Sequence, residues 1–183
     1  MRLNSRLLAA AAALALLAAC ADDTVDASAV AQATTTTAKP LAPLVVAAGD
    51  IACIPTMTTT NSRCQQEATA KTVESLHPRA VLALGDLQYE HGEKANFDAV
   101  YDKSWGRFKA ITHPAVGNHE WSTPGAAGYK SYWGVTGKTY YSFDVGSWHL
   151  VALDSNCRSV GGCQSGSPQA QWLTSDLAAH PAK

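Results

Sequence analysis

The sequence predicts an α/β fold with a βαβαβ core, and three observations predict it. Two apolar runs, Leu44-Val45-Val46-Ala47-Ala48 and Ala80-Val81-Leu82-Ala83-Leu84, are continuous rather than alternating, the pattern of strands covered on both faces in a parallel sheet. Each run stops at a Gly-Asp pair, Gly49-Asp50 and Gly85-Asp86, and a shorter one, Ala115-Val116, stops at Gly117-Asn118. Asp50, Asp86 and Asn118 stand 36 and 32 residues apart, each about the length of one strand–helix–strand repeat.

The remaining elements follow in chain order. Residues 65–76 read as a helix with Ala68, Val73 and Leu76 among its apolar positions, closed by His77-Pro78. Residues 97–108, carrying Val100, Tyr101 and Trp105, read as helical for much of their length, and 125–133 as a loop or short helix. Residues 138–144 and 148–154 read as an antiparallel hairpin turning at Gly146-Ser147, with Tyr140, Tyr141 and Phe143 on its aromatic face. Ser167 and Pro168 supply the N-cap and first position of a last helix, with Trp172, Leu173 and Leu177 on one face. No internal repeat is present, and residues 44–183 form one candidate domain, long enough to bury a core.

The first 43 residues differ in kind. Arg2 and Arg6 precede an apolar run over 7–19, shorter than the ~20 residues that span a bilayer and of the length of a signal-peptide core. Residues 1–19 therefore read as a signal peptide. Leu17-Ala18-Ala19-Cys20 looks like a bacterial lipobox, in which the Cys20 thiol receives lipid before cleavage leaves it first. The expectation is an exported lipoprotein, at the bacterial cell surface or in the periplasm, whose one membrane contact is an N-terminal lipid anchor. Residues 20–43, with four consecutive threonines at 34–37 and Pro40 and Pro43, lack the large apolar side chains needed to offset chain entropy. They read as a disordered tether.

Charge excludes some partners. With a net charge of -1 and no run of Lys or Arg, the chain has no patch for nucleic acid. No Gly-x-Gly-x-x-Gly follows the first strand, which argues against a dinucleotide fold. Beyond Cys20 stand Cys53, Cys64, Cys157 and Cys163. In an oxidising compartment disulfides are the default. Four cysteines allow three pairings, and local closure favours Cys53–Cys64 and Cys157–Cys163; neither pair has the C-x₂₋₄-C spacing of a zinc site.

In a parallel sheet ligands bind beyond the carboxyl ends of the strands, so Asp50, Asp86 and Asn118 should converge. Two carboxylates and an amide oxygen suit hard cations. Tyr89, three residues after Asp86, adds a phenolate that favours a trivalent ion. His119 sets a proton-exchanging imidazole beside a ligand. His77 and His113, each before a proline, read as turn residues, His91 as part of a solvated loop, and His149 as packed or hydrogen-bonded in its strand.

Gly49-Asp50, Gly85-Asp86-Leu87-Gln88-Tyr89 and Gly117-Asn118-His119-Glu120 resemble the first three sequence blocks of the calcineurin-like metallophosphoesterases. Many members carry Asp-x-His in the first block. Here that position is Ala52, and Tyr89 is present, a combination that looks like the purple acid phosphatase branch. The resemblance runs from 44 to the end of the sequence and implies a metallophosphoesterase-type layered sandwich, incomplete at the C-terminus. It implies Asp50 and Tyr89 on a first, iron-type metal, Asp86 bridging two metals, Asn118 on the second, and His119 beside the leaving-group oxygen as acid or electrostatic stabiliser. The implied cofactor is a pair of ions, Fe(III) with Zn, Mn or Fe(II), and the implied activity is acid-phosphatase-like hydrolysis of phosphate monoesters. Other readings are a phosphodiesterase or nucleotidase of the same superfamily, and a catalytically silent surface lipoprotein that uses the fold only for binding. The family's last two blocks, which supply three histidines, are not in this sequence. The resemblance thus implies the N-terminal part of a catalytic domain, poor or inactive as a phosphatase alone.

Overall fold

Three strands, β1 (Val45–Ala48), β2 (Ala80–Leu84) and β3 (Thr112–Ala115), form a parallel sheet in the order β1-β2-β3. The structure, a computed structural model, describes residues 42–181. The expected signal peptide, the expected lipidation site Cys20 and nearly all of the expected tether lie outside the described residues. Ala48 pairs with Ala83, and Leu84 with Ala115, so the strands end almost level.

The helix α1 (Gln66–Leu76) connects β1 to β2. Its buried residues are Ala70 and Val73, whereas Ala68 and Leu76, expected on the apolar face, are exposed. The face is set by Trp105, whose indole N–H donates to the Gln66 carbonyl at 3.0 Å and Thr69 Oγ1 at 3.1 Å. The helix stops where His77 turns left-handed (φ 50°) and gives its N–H to the Glu74 carbonyl, with Pro78 unable to continue it.

Between β2 and β3 runs a helical passage made of α2 (Lys94–Asn96), a π-turn (Phe97–Tyr101), α3 (Asp102–Ser104) and a 3₁₀ stretch (Trp105–Ile111). The π-turn has a local cause. The Tyr101 N–H leaves the helix ladder for buried Gln88 Oε1 at 3.2 Å, and the next N–H, of Asp102, reaches back to the Phe97 carbonyl. This passage supplies Phe97, Tyr101 and Trp105 to the core, where Phe97 stacks on Tyr132 at 4.7 Å.

β3 begins three residues before the Ala115-Val116 pair expected to form it, and so contains His113 and Pro114. A proline has no N–H for the ladder, and β3 pairs only with β2 among the described residues. The Pro114 carbonyl is met instead by the hydroxyls of Tyr129 (2.8 Å) and Tyr141 (3.0 Å). His113 is therefore a strand residue rather than a turn residue, lying flat on Phe143 at 3.6 Å.

α4 (Ala127–Trp133) precedes the hairpin of β4 (Tyr141–Val145) and β5 (Trp148–Ala152), which turns at Gly146-Ser147 as expected but is shorter at its open end. Beyond β5 the chain bends so that the Asp154 carboxylate, fully buried, accepts from Trp121 Nε1, Thr139 Oγ1 and the Asn156 N–H. Gln169 brackets the Asp154 backbone with both ends of its amide. Gln169 belongs to α5 (Pro168–Ala179), which opens with Ser167 Oγ accepting the Ala170 N–H. Trp172 packs on Tyr140 at 5.0 Å, while Leu177, expected on the same face, is 52% exposed.

The expectation of strands covered on both faces holds for most of β2; Leu84 and Ala47 are exposed. Cys53–Cys64 and Cys157–Cys163 are disulfides, with Cα separations of 5.4 and 5.0 Å, and indicate an oxidising compartment. No helix among the described residues is long and apolar enough to cross a membrane.

Candidate metal centre

Because β1 and β2 end level, the chain segments beyond them run on side by side. The N–H groups of Asp50, Ile51 and Ala52 donate to the carbonyls of Gly85 (3.2 Å), Asp86 (3.1 Å) and Leu87 (3.0 Å), and Tyr89 N–H returns to the Ala52 carbonyl at 2.8 Å. This ladder folds the Tyr89 side chain back over the first strand end, where its hydroxyl hydrogen-bonds directly to Asp50 Oδ1. Ala52 is fully buried within it.

The third strand end is drawn in by close approach. Gly85 has φ 96°, and a Cβ on it would lie 3.0 Å from Gly117 Cα; a Cβ on Gly117 would run into the backbone nitrogen and Oδ1 of Asp86. No larger residue fits either position. Asp50 (φ 53°) and Asp86 (φ 48°) both adopt the left-handed backbone, which costs a non-glycine residue on the order of 1–2 kcal/mol. The two stand on neighbouring strand ends, and backbone strain of this kind clusters at ligand clamps and active sites.

Glu120 holds the ends together. Its fully buried carboxylate accepts four backbone N–H groups: Asp86 (3.0 Å) and Gly117 (2.8 Å) on Oε2, Leu87 (2.8 Å) and Gln88 (3.1 Å) on Oε1. Burial pushes the Glu120 carboxyl up, the N–H donors oppose that, and the nearby Asp86 charge adds to it. Beside it, Gln88 is also fully buried and ties its amide to the carbonyls of Cys53 and Tyr89, both at 2.8 Å.

The structure thus brings together most of the residues the sequence singles out. Asp50 and Tyr89 are in contact, and Asp86 Oδ1 accepts the His119 N–H at 3.0 Å. Asn118 stands between Gly117 and His119, both of which abut Asp86, with its side chain exposed. The His119 ring meets Tyr89 edge-on at 4.4 Å and is fixed by Glu90, whose carbonyl lies 2.6 Å from Nδ1. His91 is exposed and joins none of these contacts. Burial pushes the Tyr89 phenol far up, followed by its bond to Asp50 and the charges of Asp50, Asp86 and Glu120. Among the described residues no Lys or Arg pairs with Asp50 or Asp86.

A cleft of about 270 Å³ opens beside Asp50 and Tyr89, bounded opposite by Ser62, Arg63, Gln65 and Trp105. The Cys53–Cys64 disulfide pins the loop that forms its wall. Sequence reasoning missed Glu120 and Gln88 as organisers of the site. Their signal was available: acceptors placed next to strand ends whose N–H groups have turned away from the sheet.

Comparisons of the chain with protein-family models, with curated proteins and with solved structures returned no match.

Proposed function

We propose that this chain carries the metal-binding strand ends of a purple acid phosphatase-like metallophosphoesterase that hydrolyses phosphate esters. The observation that carries the reading is the junction of three Gly-Asp/Asn strand ends, with the Tyr89 phenol set on the Asp50 carboxylate and His119 at its edge. The donor set fits hard cations: two carboxylates, a phenol and an amide, all oxygen, with no basic side chain paired to the aspartates among the described residues. Asp50 and Tyr89 would hold a first ion, Asn118 a second, and Asp86 both. Ions so held supply Lewis-acid polarisation of the phosphoryl oxygens and a water of lowered pKa.

The protein's own groups do the rest. The Glu90 carbonyl can only accept, so Nδ1 of His119 carries a proton, and Nε2 has no hydrogen-bond partner among the described residues. In the imidazolium form, Nε2–H is the proton a departing alkoxide takes. Glu120 keeps Asp86 and Gly117 in place, and the disulfide-pinned wall at Arg63 offers a cationic group to the substrate beside the ions.

Two measurements test this. Chain loaded with Fe(III) should show a visible tyrosinate-to-iron absorption that Tyr89→Phe abolishes while leaving the circular dichroism unchanged. The full-length protein should release phosphate from aryl phosphates, and Asp86→Asn should lower kcat at least ~10²-fold, as expected when a two-metal site is broken. A colourless, iron-free protein of full activity would remove Tyr89 from the metal. Wild-type protein with no esterase activity on any phosphate ester tried would leave the binding-module reading in place.

A further inference from the structure

The β4–β5 hairpin and the C-terminal end of α5 bring together His149, Asp176 and His180, none of which belongs to the strand-end site. One ligand atom from each lies within 4.8 Å of the other two. His180 follows directly on the last residue of α5, and its ring is drawn back to Asp176, four residues earlier, by the 2.7 Å contact of Nδ1 with the Asp176 carbonyl. His149 faces them from β5, and the side chains of His149 and Asp176 are 7% and 9% exposed.

We propose that His149, Asp176 and His180 form a mononuclear site for a borderline divalent cation of the Zn²⁺ type, which clips α5 to the hairpin. The proposal does not rest on the phosphoesterase reading.

The outer contacts carry the argument. His180 Nδ1 lies 2.7 Å from the Asp176 carbonyl, which can only accept, so Nδ1 bears the proton and Nε2 the lone pair. His149 Nδ1 lies 2.8 Å from Asp144 Oδ1, and Nε2 faces Asp176 Oδ2 at 2.8 Å. The second oxygen of Asp176 accepts Ser142 Oγ at 2.6 Å. Each of the three donors is therefore already oriented by an oxygen behind it, as metal-ligating histidines and carboxylates generally are.

The distances allow it. A tetrahedral zinc with bonds of about 2.0–2.2 Å separates two donors by about 3.3 Å, so Nε2 of His149 and Oδ2 of Asp176 need to part by roughly half an ångström. The cation takes the place of the proton these two atoms share. An imidazolium between Asp144 and Asp176 explains His149 without a metal. It does not explain why a second imidazole, His180, lies face to face on the first at 3.8 Å and 15°. His180 is one-third exposed and can tilt to aim its Nε2 at the same point. Two nitrogens and one carboxylate, with a water as fourth ligand, suit zinc, cobalt or nickel better than the hard cations suited to the oxygen-only strand ends.

The test uses the metal-free full chain carrying Asp50→Asn and Asp86→Asn, which silence the strand-end donors. Titration with Zn²⁺ should show one equivalent bound and a rise in Tm, and Co²⁺ should give the visible absorption of a four-coordinate ion. Added to that background, His180→Ala should weaken binding at least tenfold, and Asp144→Asn, which leaves all three ligands, by about 10–100-fold. In the otherwise unchanged chain, His180→Ala should remove one equivalent of bound zinc. No four-coordinate cobalt signal in the silenced chain overturns the proposal. So does a His180→Ala chain that binds Zn²⁺ as tightly as its parent.

Discussion

Glu120→Gln keeps the size of the side chain and changes only what its head can accept. In the native protein the two carboxylate oxygens take two backbone N–H groups each, Leu87 with Gln88 and Asp86 with Gly117. A glutamine has one oxygen and one NH₂ group. Whichever way the amide is turned, its NH₂ faces two N–H donors, and two buried donors lose their acceptor. An unsatisfied buried donor costs about 1–3 kcal/mol, so the pair costs about 2–6 kcal/mol. Removing a buried charge from beside Asp86 offsets part of this, and the expected net loss is about 2–4 kcal/mol, a large share of the ~5–15 kcal/mol available to a domain. Urea unfolding at neutral pH should show a lower midpoint with an unchanged m-value. A Glu120→Gln protein within ~0.5 kcal/mol of wild type would mean that the four N–H groups have other acceptors, and the account of what holds the strand ends would fail.

Other substitutions probe the scaffold. Ser167→Ala removes the side-chain acceptor at the start of α5 and should cost about 1 kcal/mol in urea unfolding; no change would show that the cap is idle. Replacing Cys157 and Cys163 together by Ser opens a loop with a sequence separation of 6 and should cost about 2 kcal/mol by loop-closure entropy, with reductant destabilising wild type but not the variant by that route. His113 is held low by burial, so the folded protein takes up fewer protons than the unfolded chain as pH falls through the ordinary histidine value of about 6.5. Stability should therefore drop with acid below that value, and His113→Phe, which keeps a flat ring on Phe143, should flatten the drop; parallel stability–pH curves for the two proteins would dismiss the effect.

Much of this architecture was legible because its signals are local. The two apolar runs ending in Gly-Asp are β1 and β2, and Ser167-Pro168 starts α5. Cysteines close in sequence pair with each other. What failed depended on partners elsewhere in the fold. The buried face of α1 follows Trp105, 39 residues from Gln66, so no window of α1 alone could reveal that Leu76 is exposed. β3 contains a proline that turn rules place in a bend; two tyrosine hydroxyls from later elements satisfy its carbonyl. The hairpin ends early because Asp154 is claimed by Trp121 and Thr139. The strand position of His149 reads as packed or hydrogen-bonded, and its partners Asp144 and Asp176 lie on two other elements.

The strand ends carry several features that work against stability. Asp50 and Asp86 sit in left-handed backbone, Glu120 is buried beside Asp86, and the Tyr89 phenol is pressed among carboxylates. The strain and the charge repulsion lower stability even though the four N–H groups on Glu120 raise it, and a fold keeps such strain where a site needs it. Their common deficit is positive charge: among the described residues neither aspartate has a basic partner. A cation bound between them would relieve the repulsion and convert its binding energy into folding stability by mass action, about 2.7 kcal/mol at a free concentration one hundred times its Kd. The strain and the charge therefore make one joint prediction. Mn²⁺ or Fe³⁺ should raise the Tm of the wild-type chain, and the rise should vanish in Asp86→Asn, whose own metal-free Tm should be at or above that of wild type because a repelling charge is gone. An Asp86→Asn protein that is less stable without metal would instead make Asp86 a structural acceptor for the His119 N–H, and would take away the main support for a metal at the strand ends.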